Sequence, residues 1–240
     1  MESIIGTYQS SIANLTLSES VLNNNTLILG EEGSGKTHLA SKIRNYVISN
    51  DVPTLYLDFS NPNADEIESH YRESDSFNYM RFDESDAFDA EIDAAIAERK
   101  HLYIAVNPDY FGKSRHEKSK LSCMLQKEAL LENYYYFFHE IAQLNGFYTK
   151  FDDFLLYTFS LLNLKKFGLT FLTQPHPIFE DQHIKLLFKY LYVGRCFNVN
   201  YYNTSILRNL PKHTFYYQFR MEHPSILFNN IKGDIVRINA

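Results

Sequence analysis

Tryptophan is absent from the 240 residues, and cysteine occurs only at Cys123 and Cys196. Two isolated cysteines build no disulfide framework and lack metal-ligand spacing. A stapled secreted scaffold and a zinc ribbon are therefore excluded, and both thiols are expected to be reduced. No run approaches the ~18 apolar residues of a membrane-spanning helix. The N-terminus lacks the basic-then-apolar pattern of a secretory leader. These absences predict a soluble, cytoplasmic chain. An excess of positive charge is missing as well: 23 Lys and Arg stand against 29 Asp and Glu, a net −6. A monomer that coats DNA is normally basic, so any nucleic-acid contact has to be local. There is no repeat, low-complexity tract or Gly/Ser linker. The expectation is one domain over residues 1–240, with 1–22 as a lead-in holding a short helix and a strand.

What is present is a core. Apolar residues make up 45% of the chain, a globular proportion. Eighteen Tyr and nineteen Phe read first as the habit of an AT-rich genome and second as a stacking surface. Strands are predicted at Thr26–Leu29, Thr54–Phe59, Phe77–Phe82, Leu102–Val106, Tyr134–Phe138, Leu169–Thr173, Thr214–Met221 and Asp234–Ile238. Helical spacing covers Lys36–Ser49, with Leu39, Ile43 and Val47 on one face. Further helices are predicted at Asp65–Tyr71, Asp86–Lys100, within Ser114–Leu131, at Phe151–Leu164, Gln182–Tyr190 and Ser205–Leu210. Alternating strands and helices predict an α/β fold with a mostly parallel sheet and helices on both faces.

The stretch TLILGEEGSGKTHLA, Thr26 to Ala40, carries the strongest motif. Gly30, Gly35, Lys36 and Thr37 have the P-loop spacing, between a strand and a helix as the motif requires. Gly33 and Gly35 let backbone N–H groups turn inward around phosphates. The helix beginning at Lys36 offers its positive end to the anion. Lys36 is expected at the β- and γ-phosphates and the Thr37 hydroxyl on Mg²⁺. The nucleotide-binding set is Gly30, Gly33, Ser34, Gly35, Lys36, Thr37 and His38. No Asn-Lys-x-Asp guanine-reading signature occurs, so ATP is the expected nucleotide.

A hydrolase also needs a carboxylate at a strand end to polarise water. Two stretches compete for that role. LYIAVNPD has Asn107 and Pro108 where acids are wanted, and Asp109 two residues late. YYYFFHE ends in His139 and Glu140, with Glu140 at the catalytic position and His139 where an Asp is usual. Asp58, closing TLYLDF, is a third carboxylate with a structural role expected. Later, KKFGLTFLTQPHP (Lys165 to Pro177) is an apolar strand ending in Gln174. A side-chain amide both donates and accepts, which suits a sensor of the γ-phosphate and the attacking water.

The order of P-loop, acid strand and KKFGLTFLTQPHP resembles the HerA–FtsK superfamily of DNA-translocating P-loop ATPases, with strong signals at the P-loop and at 165–177. That resemblance implies a RecA/ASCE-like domain and a ring of identical subunits, a hexamer, with ATP at each interface. It places Glu140 as catalytic acid, Gln174 as sensor and Lys165 as the basic residue acting on a neighbour's nucleotide, where the family usually has Arg. Arg195 and Arg220 compete with Lys165. Compact members include genome-packaging ATPases of double-jelly-roll viruses, and the chain looks like those. Double-stranded DNA is then the implied partner, gripped by Lys113, Arg115, Lys118 and Lys120 in FGKSRHEKSK, with a capsid vertex or membrane complex as docking partner. Three other readings stay open: a filament-extrusion or assembly ATPase of the same superfamily, a nucleotide or small-molecule kinase, and a non-hydrolysing nucleotide-binding subunit.

Overall fold

The structure is a computed structural model. It describes residues 3–11, 13–60, 77–82, 85–107, 121, 123–142, 164–180, 184, 186–197, 204–219 and 233–239. The chain divides into two compact units: Met1–Tyr46 with Thr170–Ala240, and Val47–Leu169. The predicted helices at Asp65–Tyr71 and, apart from Leu164, Phe151–Leu164 lie outside the described residues.

In the first unit, β1 (Ser3–Tyr8), β2 (Asn14–Leu17), β3 (Thr26–Leu29), β8 (Leu169–Thr173), β9 (Tyr190–Val193), β10 (Thr214–Phe219) and β11 (Asp234–Ile238) line up in the order β2-β1-β11-β10-β9-β3-β8. Its parallel part is β9-β3-β8. All four residues of β3 are buried, as expected for a parallel strand covered on both faces. The remaining pairs, β9 with β10, β10 with β11, β11 with β1 and β1 with β2, are antiparallel. This antiparallel extension is what the lead-in and the C-terminal strands build. The lead-in is a hairpin followed by the short helix α1 (Glu19–Leu22).

Helix α2 (Lys36–Ser49) follows β3 and has the predicted bounds. Its chain reverses at Asp51, which takes a left-handed φ of 57°. The helix predicted to reach Tyr190 stops earlier. Lys189 N–H and Tyr190 N–H both donate to the Asn25 carbonyl (3.0 and 3.2 Å), which draws Tyr190 into β9. Helix α5 (Thr204–Arg208) precedes β10.

In the second unit, β4 (Thr54–Asp58), β5 (Phe77–Arg81), β6 (His101–Ala105) and β7 (Tyr135–His139) pair in the order β7-β4-β6-β5, all parallel. Helix α3 (Asp86–Ala97) starts on Ser85, whose Oγ accepts the Phe88 N–H at 3.1 Å. It ends at Ala97 rather than Lys100, because Arg99 adopts φ 54° and Lys100 N–H returns to the Ala95 carbonyl. Helix α4 (Glu128–Asn133) leads into β7.

Register explains part of the aromatic excess. Tyr79, Tyr103, Tyr56 and Phe137 are Cα partners on successive strands. Their rings stack at 5.7, 4.9 and 5.6 Å with interplanar angles of 27°, 9° and 19°. Each such pair contributes about 0.5–1.5 kcal/mol beyond burial. Tyr135 to Phe138 are almost wholly buried, so this aromatic run reads as a strand closed on both faces.

Candidate functional site

The loop after β3 is held by backbone bonds to the ends of both neighbouring strands. Gly30 N–H donates to the Thr173 carbonyl (3.3 Å), Gly194 N–H to Leu29 (2.7 Å) and Glu31 N–H to Arg195 (2.8 Å). Within the loop, Ser34 N–H donates to the Glu31 carbonyl at 3.2 Å. Gly33 and Gly35 have φ of 73° and 100°, the left-handed half of backbone space that suits glycine. Gly35 is required twice over. A Cβ there would lie 3.1 Å from His213 Nδ1 and 3.2 Å from the His213 backbone.

Lys36 and Ser34 are nearly buried. Lys36 Nζ folds back to donate to the carbonyls of Gly30 (2.8 Å) and Glu31 (3.4 Å), while Thr37 in the first turn of α2 is exposed. Among the described residues, three buried polar atoms beside this loop have no hydrogen-bond partner: Ser34 Oγ, Arg195 Nε and His213 Nδ1. Buried polar groups are normally paired. Unpaired polar atoms around turned-in N–H groups are the donor set that fits a phosphate chain.

Beside the loop, in the same unit, lies a cavity of about 530 Å³, lined among the described residues by His38, Lys212, His213, Arg237 and Asn239, among others, and by no acid. His38 Nε2 donates to the Asn239 carbonyl at 2.7 Å and meets the His213 ring edge-on at 4.6 Å. His213 itself takes φ 61° and donates its N–H to the Ser34 carbonyl at 3.0 Å. Burial, then the nearby His38, Lys212 and Arg237, lower its pKa.

Gln174 follows β8 directly and is exposed. Its strand pairs in parallel with the loop's own strand, Thr173 opposite Leu29. Arg195 follows β9 on the other side, and a methyl placed on Gly33 would come within 3.9 Å of the Arg195 Nη2.

The second unit has its own polar cluster at the C-terminal ends of its strands. Asp58 and His139 are register partners, and Asp58 is 2% exposed. Its Oδ1 lies 3.1 Å from His139 Nδ1 and accepts Ser60 N–H at 2.8 Å and Ser60 Oγ–H at 2.6 Å; its Oδ2 accepts the Tyr103 hydroxyl. Burial alone would raise the Asp58 pKa. The bond to His139, its charge, and the Ser60 and Tyr103 donors outweigh burial and hold it below the ordinary value. Glu140, the next residue after β7, is buried and takes φ 54°.

Lys165 is part-exposed as a residue, but its amine end is enclosed. Nζ donates to the Tyr134 carbonyl at 3.1 Å and lies over the Tyr136 ring. Desolvation lowers its pKa well below that of a free lysine. A role on a neighbour's nucleotide requires Lys165 to leave this position. Asp109, Arg220, and the basic run Lys113, Arg115, Lys118 and Lys120 lie outside the described residues. Sequence reasoning passed over Lys212, His213 and Arg237. No local motif marks them, because only the antiparallel extension brings them to the loop.

No protein-family model and no curated protein matches the chain. Solved structures do match in fold. The cytoplasmic domain of the type VII secretion ATPase EccC of Thermomonospora curvata superposes with a TM-score of 0.54 at 12% identity, over 100% of this chain and 28% of that one. The genome packaging NTPase B204 of Sulfolobus turreted icosahedral virus 2, in complex with AMP, gives 0.51 at 13% identity, over 91% and 97%. EssC (ATPases 2 and 3) of Geobacillus thermodenitrificans gives 0.50 at 11%, over 98% and 40%. The fold is that of a P-loop ATPase. Within this P-loop ATPase fold, the chain spans 28% of the EccC chain, 40% of the EssC chain and nearly the whole of B204. Among the described residues, no helix is long and apolar enough to cross a membrane.

Proposed function

We propose that the chain is a single ATPase domain that hydrolyses ATP to move duplex DNA, as the genome-packaging motor of a virus working in a homo-oligomeric ring. The observation that carries this reading is the loop itself. A glycine-turned cradle with buried, unpaired polar atoms at Ser34, Arg195 and His213 sits between two parallel strands, one of which ends in Gln174. The likeness to B204 along nearly its whole length supports the packaging assignment.

In this reading the N–H groups of Gly33, Gly35 and Lys36 bind the phosphates. The Lys36 amine exchanges its two carbonyl partners for phosphate oxygens. The cavity beside His38 and His213 takes the nucleoside half. The Thr37 hydroxyl would hold Mg²⁺, which would supply positive charge against the phosphates. Gln174 orients the attacking water and Glu140 accepts its proton. The new bond joins the water oxygen to the γ-phosphorus. The bond from that phosphorus to the β,γ-bridging oxygen breaks, and ADP leaves with the electron pair.

The ring is a hexamer by resemblance. The run Lys113 to Lys120 grips duplex phosphates, which such charges do in a salt-dependent way. The site of action is the host cytoplasm, docked to a capsid vertex or a membrane complex.

A second reading, an ATPase that drives protein secretion or filament extrusion, draws support from the likeness to EccC. Duplex DNA separates the two. The packaging reading expects the ATPase rate to rise several-fold when duplex DNA is added, with a stimulation that fades as salt rises. A rate indifferent to DNA supports the second reading. Acceptor-dependent ADP release points to a kinase, and no turnover to a passive nucleotide-binding subunit.

A further inference from the structure

We infer that Arg195 supplies, from the same chain, the positive charge that neutralises the terminal phosphate of the bound nucleotide, so that no residue of a neighbouring subunit is needed for that role. The inference rests on the proposed ATP site.

Strand β9 runs parallel to β3 with Leu29 opposite Val193. Both strands therefore release the chain at the same level, Gly30 on one side and Gly194 on the other. Two backbone bonds then lock the segments together: Gly194 N–H to the Leu29 carbonyl at 2.7 Å, and Glu31 N–H to the Arg195 carbonyl at 2.8 Å. Arg195 is in this way fastened to the first residues of the phosphate loop and moves with them. Its side chain reaches the loop, with Nη2 3.9 Å from where a Cβ on Gly33 would stand. Phe197 lies under the guanidinium, with its ring centre 5.5 Å from Cζ, an arrangement that restrains a planar cation.

The hydrogen-bond inventory agrees. Arg195 Nε is buried and has no partner. The nearby Ser34 Oγ is in the same condition. A guanidinium presents a rigid fork of donors suited to phosphate oxygens, and this one is held beside a loop with the P-loop glycine pattern and left-handed φ at Gly33 and Gly35. Lys165, which the sequence pattern offers for the trans-acting role, instead directs its amine to Tyr134 and Tyr136 of its own unit.

The test mixes two inactive proteins. R195A removes the cation, and K36A removes nucleotide binding. If Arg195 acted across an interface, a K36A subunit would lend its Arg195 to an R195A neighbour, and mixing would restore turnover. The inference expects none: the equimolar mixture stays at the level of its parts. R195A alone should lose about a thousandfold in kcat, the range seen for such arginines, while its affinity for a fluorescent ADP analogue stays within a few-fold of wild type. Recovery of a substantial share of wild-type turnover on mixing overturns the inference, and so does an R195A protein with normal kcat.

A binding measurement separates this idea from the hydrolysis proposal. Wild type should prefer ATPγS over ADP, and R195A should lose that preference, whether or not the chain turns ATP over. A wild-type protein that binds but does not hydrolyse sinks the hydrolysis proposal. An ATPγS preference untouched by R195A sinks this one.

Discussion

His139 is held by Asp58: its Nδ1 lies 3.1 Å from Asp58 Oδ1 at the ends of two neighbouring parallel strands. The pair places a buried carboxylate beside His139 at that strand edge. The Asp58 pKa is held below the ordinary value, so the stability it contributes is fully present above the unfolded carboxylate value of about 3.9. That contribution is lost as pH falls further, through the folded pKa. Asp58→Asn should therefore unfold at lower denaturant concentration at pH 7, and the gap from wild type should narrow below about pH 4. Denaturant titrations at a series of pH values measure both.

Tyr103 serves the same carboxylate and the aromatic stack at once. Tyr103→Phe keeps the ring between Tyr56 and Tyr79 and loses only the hydroxyl that donates to Asp58. The expected loss is about 1.5–3 kcal/mol, as for a hydrogen bond to a charged group. Tyr103→Ala removes the stack as well and should cost about 3–5 kcal/mol, the range for large aromatic truncations. Equal losses for the two substitutions would show that the stack contributes nothing.

Lys165 gives a pH signature of opposite origin. Its amine is desolvated in the folded chain, and its pKa falls well below the free value. The unfolded chain then binds more protons than the folded one between the depressed value and about 10.4, so stability rises with pH across that window. Lys165→Met should abolish the rise and leave stability at pH 7 equal or higher, with ATP turnover retained. Loss of turnover with an intact fold would return Lys165 to the trans-acting role.

Gly35→Ala tests the cradle's shape. The substitution puts a Cβ into a left-handed residue and against the His213 backbone. Strained backbone of this kind costs about 1–3 kcal/mol. Nucleotide affinity should fall at least tenfold, measured by calorimetry, while far-ultraviolet circular dichroism stays native-like. Wild-type affinity would mean that the loop reshapes freely.

The sequence shows most clearly what is local. The loop from Gly30 to Thr37 and helix α2 are legible because spacing, glycine placement and helical period act within a few residues. The central strands are legible because parallel strands buried on both faces read as apolar runs. Three features are not legible, because they depend on register or on distant pairing. The stack from Tyr79 to Phe137 needs four strands in line. The Asp58–His139 pair looks in sequence like two unrelated strand ends. The approach of His213 to Gly35 depends on an antiparallel extension and on a left-handed histidine that no motif announces. Arg195 was visible as a candidate, but its bond to Glu31 was not.

Phosphate release from ATP, followed for wild type, Lys36→Ala and Glu140→Gln, tests the central claim most directly. The account predicts steady release by wild type, none above background for Lys36→Ala, and for Glu140→Gln a protein that still binds ATP but releases phosphate at least a hundredfold more slowly, the scale of general-base loss. Release by Lys36→Ala at the wild-type rate would contradict the account, because hydrolysis would then have no connection to the loop at Gly30 to Thr37.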